Sequence, residues 1–218
     1  MLRRTLLVFG AYKWQDVAYV SEPHALQKLD IAIPRKIPPR AKLPTCVFVH
    51  GGSWQRGDKN GGLNSGIDEA FVSAGGCLGV SVNYRLSPEV QHPEHVKDVA
   101  AAITWVHHNV AKFGGDPTKL VLVGHSAGAH LVMQILADPA YLQEAGMKDP
   151  VDTFVRGAVG ISGVYNITNI QRHVVPDCNH FTIVQHLAEG DPDVDPTMKL
   201  IKAFVNEVAD PEELSPLL

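Results

Sequence analysis

The sequence predicts an α/β fold in which a mostly parallel sheet is flanked by helices. Two short runs, at residues 45–49 and 120–123, are apolar throughout, which is typical of strands buried on both faces of a parallel sheet. Between them, the segment 93–113 carries valine and isoleucine at three- and four-residue spacing, the periodicity of a helix. Strands that alternate with helices favour a parallel sheet with right-handed crossovers.

The elements follow one another in a regular order. Apolar and polar residues alternate in places between residues 16 and 35, which predicts two antiparallel strands with one covered face. Buried strands are then predicted at residues 45–49, 77–84, 120–123 and 158–161, and helices at residues 65–74, at 93–113 and from the turn at 124–128 to about 137. Gly114 and Gly115 supply the end of the long helix.

One domain is predicted for the whole chain. The 218 residues are 45% hydrophobic and 19% charged, which suits a single α/β domain over residues 1–218. Residues 1–15 are expected to be a disordered N-terminus. Residues 166–210 are expected to form a cap-like or lid-like helical region, because apolar residues recur there at helical spacing and no further strand-like run appears.

Composition argues against several partners and locations. The formal net charge is −4 and the two signs are interspersed, so binding to nucleic acid or to an anionic membrane is not predicted. No run approaches the ~18 apolar residues of a membrane-spanning helix. The three cysteines cannot all pair, which favours a reducing, cytoplasmic compartment. Secretion is the weaker alternative because the apolar stretch at residues 5–11 is short for a signal peptide, and a homodimer is an open alternative.

A candidate nucleophile lies in the segment Gly124-His125-Ser126-Ala127-Gly128, which fits the pattern G-x-S-x-G between a buried strand and a helix. On such a tight turn the residues two positions before and after the serine are crowded, and glycine relieves the crowding. The turn exposes the hydroxyl above the helix N-terminus, where the helix dipole and the N–H of Ala127 favour negative charge. We therefore expect Ser126 to attack a carbonyl.

A candidate oxyanion hole follows an earlier buried strand, in the segment 50–54, which reads His-Gly-Gly-Ser-Trp. The carboxyl ends of parallel strands meet at one edge of the sheet, so this segment and Ser126 are expected to face the same space. Glycine lets the backbone approach a ligand closely. The N–H groups of Gly52, Ser53 and Ala127 are predicted to hold the oxyanion, whereas an ordinary Gly-Gly turn is the alternative.

These segments resemble those of a known fold family. Segment 50–54 resembles the HGGxW oxyanion motif of kynurenine formamidases and related esterases of the α/β-hydrolase fold, and segment 124–130 is similar to their nucleophile turn. Segments 83–89 and 113–117 look like those of hormone-sensitive-lipase-type carboxylesterases and isoprenylcysteine methylesterases. The resemblance covers about residues 16–165. Besides the serine and the oxyanion residues, it is carried by His50, Gly51, Trp54, Gly124, His125 and Gly128.

The resemblance also implies a carboxylate and a histidine on loops after two further strands. The chain ends about where the first of those strands is expected, so an α/β-hydrolase fold truncated at the C-terminus is predicted. A fragment, a short isoform and a partner chain that supplies the strands are the explanations considered. No acid or base is assigned to Ser126: His130 is expected to be packed and hydrogen-bonded on a buried helix, and His173, His180 and His186 are expected on the surface or in the lid.

One further polar segment and one tryptophan are interpreted without a catalytic role. His92 and His95, with Asp98 one turn later, are expected to be solvated on a surface helix, and no metal site is predicted. Trp54 is either a wall of the acyl pocket or a core residue, and the motif favours the pocket.

The function predicted from the sequence is hydrolysis of a small carboxylic ester or an aryl formamide through an acyl-serine intermediate, without a cofactor. The partner is then a small-molecule ester or amide. A non-catalytic binding protein or inactive fragment that lacks the base is the alternative. An isoprenylcysteine methyl ester is the alternative substrate, less favoured because the sequence has no membrane-spanning segment.

Overall fold

A sheet of seven strands organises the residues that this computed structural model describes, which are 4–6, 11–38, 41–164 and 201–203. Its strands lie in the order β1-β2-β3-β5-β4-β6-β7. They span Arg4–Leu6 (β1), Ala11–Ala18 (β2), Lys28–Pro34 (β3), Leu43–Val49 (β4), Leu78–Val82 (β5), Gly115–His125 (β6) and Val155–Ile161 (β7). Strands β1, β2, β3 and β5 pair antiparallel, and β5, β4, β6 and β7 pair parallel. The predicted α/β class and mostly parallel sheet are confirmed.

Helices cover both faces of the sheet in the described part of the chain. They span Ile67–Gly75 (α1), Glu94–Asn109 (α2), Ala127–Ala137 (α3) and Ala140–Glu144 (α4), and short 3-10 turns lie at Gly62–Asn64, Val110–Phe113 and Val151–Thr153. Alternate residues of β4 point to opposite faces: Phe48 packs against α1, whereas Val47 and Val49 belong to the cluster that includes α2 and α3. Strands buried on both faces therefore appear as continuous apolar runs.

The N-terminal expectation was wrong at residues 11–15. These residues were expected to be disordered, but they lie in β2, where Ala11 is paired with Pro34 and Trp14 with Ile31 of β3. Pairing with β2 provides hydrogen-bond partners for the N–H and C=O groups on the edge of β3 that does not pair with β5. The region 166–210 lies outside the described residues except for 201–203, which are helical, with Ile201 buried against the α1 side of the sheet. Of the helices described, none combines the length and the apolar character needed to cross a bilayer.

A buried group of charges joins the antiparallel strands to helix α1. The Nζ of Lys13, a residue only 1% exposed, lies 2.9 Å from an Asp68 carboxylate oxygen, 3.2 Å from Glu69 and 3.6 Å from Asp30. Lys59 contacts the same Asp30 carboxylate at 2.9 Å. Burial raises the pKa of Asp68 to about 6 in spite of the nearby Lys13 ammonium. Because the carboxylates of Asp30 and Asp68 are fully buried, the two lysines are required to balance their charge.

We expect Lys13→Met to lower the free energy of unfolding by about 3–5 kcal/mol at pH 7, because it leaves buried carboxylates without their cation. The loss should shrink as the pH falls from 7 to 5, since a protonated Asp68 no longer needs a cation. Urea unfolding measures both effects. Lys112→Met, at an exposed lysine bonded to Asn109, is the control and should change stability by about 0.5 kcal/mol or less. Equal losses in the two variants would contradict the role given to the buried cluster.

Candidate active site

Ser126 lies on the turn between β6 and α3, in a conformation that few residues adopt. Its φ is 51° and its ψ is −114°, and the residue is 8% exposed. The backbone holds this turn from two sides: the N–H of Ser126 donates to the carbonyl of Ile161 at 2.8 Å, and its own carbonyl accepts from the N–H of His130 at 3.1 Å. A non-glycine residue at positive φ is strained, and such strain persists only where the surroundings enforce it.

The glycines on either side of Ser126 are required by close contacts. A Cβ on Gly124 would lie 2.5 Å from Cα of Ala129, in the first turn of α3. A Cβ on Gly128 would lie 2.1 Å from the carbonyl oxygen of Val49 and 2.5 Å from that of His50. The second contact shows that α3 rests directly on the end of β4. The crowding predicted for the glycines of the G-x-S-x-G pattern is therefore observed.

The structure brings the segment 50–54 against this turn. A Cβ on Gly51 would lie 2.9 Å from Cβ of Ser126 and 2.8 Å from Nδ1 of His125, which is buried at the end of β6. Gly52 and Ser53 follow with φ of 120° and 56°. The Gly52 carbonyl accepts from the N–H groups of Gln55 and Arg56, each at 3.1 Å. Because a peptide carries its C=O and N–H on opposite sides, this bonding turns the Ser53 N–H away from residues 55 and 56.

A cavity of about 360 Å³ opens beside the serine turn. Its wall is formed by Ser53, Trp54, Gln55, Ser87, Gln91, His92, His95, His130 and Leu131. Trp54 therefore lies on a pocket wall, where its ring meets the His130 ring edge-on with centroids 5.3 Å apart. Ser126 does not line this cavity, although its neighbours on the loop and on α3 do. The cavity thus adjoins the predicted nucleophile and can receive one side of a bound molecule.

Two expectations for the histidines were wrong. His130 was expected to be hydrogen-bonded in the core, but it is half-buried on the cavity wall and its Nδ1 has no partner among the described residues. Burial lowers its pKa, with a further decrease from His92, so the ring is neutral at pH 7. His95 and Asp98 were expected to be solvated, but both are buried: His95 Nε2 lies 3.1 Å from Ser87 Oγ. Asp98 accepts two hydrogen bonds from the Arg85 guanidinium, which anchors the loop before α2.

No general base is found in the described part of the chain. There the hydroxyl of Ser126 has no hydrogen-bonded histidine. His173, His180 and His186 lie outside the described residues. Sequence reasoning missed Asn83 and Tyr84, which contact the segment 50–59. Both belong to segment 83–89, which resembles esterases but whose residues were given no role from the sequence.

Serine esterases with the α/β-hydrolase fold have this arrangement. A strained serine lies between a parallel strand and a helix, and a glycine loop that follows the neighbouring strand packs against it. A family comparison agrees: the BD-FAE model matches residues 29–190, and the chain belongs to the BD-FAE family.

Individual relatives are esterases as well. The chain is 34% identical to esterase LipQ of Mycobacterium tuberculosis over 165 residues, which are 71% of this chain and 37% of LipQ. It is 32% identical to a probable isoprenylcysteine alpha-carbonyl methylesterase of Oryza sativa subsp. japonica over 187 residues, 84% of this chain and 42% of the relative. Among solved structures, esterase B from Lactobacillus rhamnosis (HN001) matches with a TM-score of 0.61 and 26% identity, over 71% of this chain and 49% of that one.

The chain spans about two fifths of the length of the two curated relatives, LipQ and the methylesterase. The resemblance to hormone-sensitive-lipase-type esterases is confirmed, and the resemblance to kynurenine formamidases stays a prediction.

We expect Gly128→Ala to destabilise the protein by about 1–3 kcal/mol, because the added methyl group must push α3 away from the end of β4. Gly75→Ala, at the last residue of α1, is the matched control: its methyl group would meet only Cys77 Sγ, at 3.2 Å, and we expect little change. Urea unfolding of the two variants provides the comparison. A Gly128→Ala variant as stable as the control would show that α3 does not rest on β4 this closely.

Stability should also depend on the ionisation of His50, whose pKa is lowered mainly by burial. Below about pH 6.5 the unfolded chain binds a proton at this residue that the folded chain does not, so unfolding becomes easier as the pH falls. We expect His50→Gln to flatten the decline in unfolding free energy between pH 7 and pH 5 by up to about 1.4 kcal/mol per pH unit. The matched control substitution is His108→Gln, at an exposed histidine. Denaturant unfolding at several pH values measures the slope, and an unchanged slope in His50→Gln would contradict a neutral buried imidazole.

Proposed function

We propose that this protein hydrolyses a small carboxylic ester or an aryl formamide, with Ser126 as the nucleophile. The observation that carries the proposal is the contact between two segments: the Gly51 backbone lies against the Ser126 side chain, so the amides of segment 50–54 and the hydroxyl face one space. The relatives, which are named as esterases, support the same class of reaction.

In the proposed reaction the Oγ of Ser126 bonds to the carbonyl carbon and its proton is transferred to the leaving alcohol or amine. The N–H groups of Gly52, Ser53 and Ala127 stabilise the negative charge on the former carbonyl oxygen. Each such donor is worth roughly 3–4 kcal/mol in comparable sites. Ala127 is the first residue of α3, and its N–H has no intrahelical acceptor. Water then cleaves the acyl-serine bond and releases the acid.

The cavity restricts the substrate. At about 360 Å³, with Trp54 and Leu131 as its apolar surfaces, it suits a short acyl group or a single ring. Its polar lining consists of two serines, two glutamines and three histidines, which donate and accept hydrogen bonds. The isoprenylcysteine methylesterases among the relatives make a prenylated cysteine methyl ester the alternative substrate. An aryl formamide rests on the resemblance of segments 50–54 and 124–130 to kynurenine formamidases.

The nucleophile can be tested with a fluorophosphonate, in which the serine oxygen bonds to phosphorus as the phosphorus–fluorine bond breaks. We expect intact mass to show one adduct, located at Ser126 by peptide mapping. Ser126→Ala should abolish labelling, because the reacting oxygen is gone. Ser73→Ala removes an exposed hydroxyl of α1 and should label as the unchanged protein does.

An adduct at another serine, or no adduct on the folded protein, would overturn the proposal. A non-catalytic binding protein would instead bind esters without turnover, and Ser126→Ala would bind them equally well. Hydrolysis of a short-chain aryl ester, an aryl formamide and a prenylcysteine methyl ester, compared at equal concentration, separates the three substrate classes.

A further inference from the structure

We propose that Tyr84 is a positioning residue for acyl transfer, because it holds His50 and thereby aims the N–H of Gly52. The inference rests on the proposed function, since it concerns the donor that meets the oxyanion. Tyr84 follows β5, and in the parallel pairing of β4 with β5 Val49 lies opposite Val82. His50 directly follows Val49, and Tyr84 comes two residues after Val82, so both lie just beyond the paired ends of these strands.

Tyr84 contacts His50 in two ways. Its hydroxyl donates a hydrogen bond to the His50 carbonyl at 3.0 Å, and its ring stacks on the imidazole with centroids 4.5 Å apart and planes 17° apart. Both side chains are buried. A phenylalanine would provide the same stacking, so the hydrogen bond from the hydroxyl to the His50 carbonyl is the contact that Tyr84→Phe removes.

His50 transmits this constraint to the next peptide. Its Nδ1 lies 2.7 Å from the Gly51 carbonyl oxygen, and because a carbonyl only accepts, Nδ1 carries the proton and donates it. In the planar trans peptide between Gly51 and Gly52, the C=O and N–H point in opposite directions. With its carbonyl held towards the imidazole, this peptide directs the Gly52 N–H away from it. The hydroxyl of Tyr84 and the ring of His50 thus fix two successive peptides.

The residue before Tyr84 holds the far end of the same loop. Asn83 Oδ1 accepts from the backbone N–H of Lys59 at 2.5 Å, and Asn83 Nδ2 donates to the Asp58 carboxylate at 2.8 Å. Lys59 in turn contacts Asp30 of the buried charge cluster. Two adjacent residues after β5 therefore hold both ends of the segment 50–59, so that the glycines between them keep one conformation in spite of their freedom.

The first test compares Tyr84→Phe with Tyr141→Phe. Tyr141 is the control because its half-buried hydroxyl accepts a hydrogen bond from Gln134 Nε2 at 3.3 Å, and the residue does not line the cavity. We expect Tyr84→Phe to lower both kcat and the rate of fluorophosphonate labelling by about tenfold to a hundredfold with little change in KM, since a donor displaced by about 1 Å is costly. Tyr141→Phe should keep its labelling rate.

A second variant perturbs the same peptide from the other side. A Cβ on Gly57 would lie 2.5 Å from both the Gly51 carbonyl oxygen and His50 Nδ1, so Gly57→Ala should separate that hydrogen-bonded pair and slow labelling as Tyr84→Phe does. Gly62→Ala is the control, because Gly62 also has a positive φ, of 57°, but has open space around it. This comparison replaces the first if Tyr84→Phe does not fold.

The outcomes separate the two proposals. If the unchanged protein is labelled at Ser126 but Tyr84→Phe is labelled equally fast, Tyr84 has no positioning role. If the unchanged protein is not labelled, the proposed function fails, and amide hydrogen exchange measured by NMR decides the inference about Tyr84. Faster exchange at Gly51 and Gly52 in Tyr84→Phe, but not in Tyr141→Phe, supports it, and equal exchange in both overturns it.

Discussion

The close contact between helix α3 and the end of strand β4 is the constraint on which the site depends. Gly128 lies against the carbonyl oxygens of Val49 and His50, at a distance that no side chain would permit. This contact brings the first turn of α3 next to the segment that follows β4. The strained conformation of Ser126 is enforced from both sides, by β7 through Ile161 and by α3 through His130. Two segments about 75 residues apart thus face each other because glycine allows backbone to meet backbone.

A second set of contacts, which starts from the antiparallel strands, holds the segment 50–59 in place. The antiparallel strands β2 and β3 carry Lys13 and Asp30 into the interior, where they meet Asp68 and Lys59. Breaking such a cluster leaves a charge without a partner in a medium that solvates it poorly, so the cluster tolerates little displacement. Since Lys59 also closes the segment 50–59, the charges connect the N-terminal strands to the glycine loop. The strands at this side of the sheet therefore contribute to the site without contacting it.

The cavity beside Ser126 combines one aromatic wall with three imidazoles. Burial lowers the pKa of both His95 and His130, so these rings act as neutral hydrogen-bonding groups at pH 7. The buried Nδ1 of His130 keeps unused hydrogen-bonding capacity among the described residues. These two neutral rings can recognise a bound molecule through the geometry of hydrogen bonds.

The sequence by itself determined the alternation of strands and helices from about residue 45 onward, the turn at Ser126 and the glycine loop at 50–54, because each depends on periodicity or on glycine within a few neighbouring residues. Only the tertiary structure decided which distant side chains meet. Tyr84 reaches the His50 carbonyl across 34 positions of sequence, and Lys13 reaches Asp68 across 55. The burial of His95 and Asp98 depends in the same way on where α2 packs. The sequence does not show this packing, so their polar side chains were expected to face solvent. Local patterns specify elements, whereas the partners of a buried polar group depend on the packing of the whole sheet.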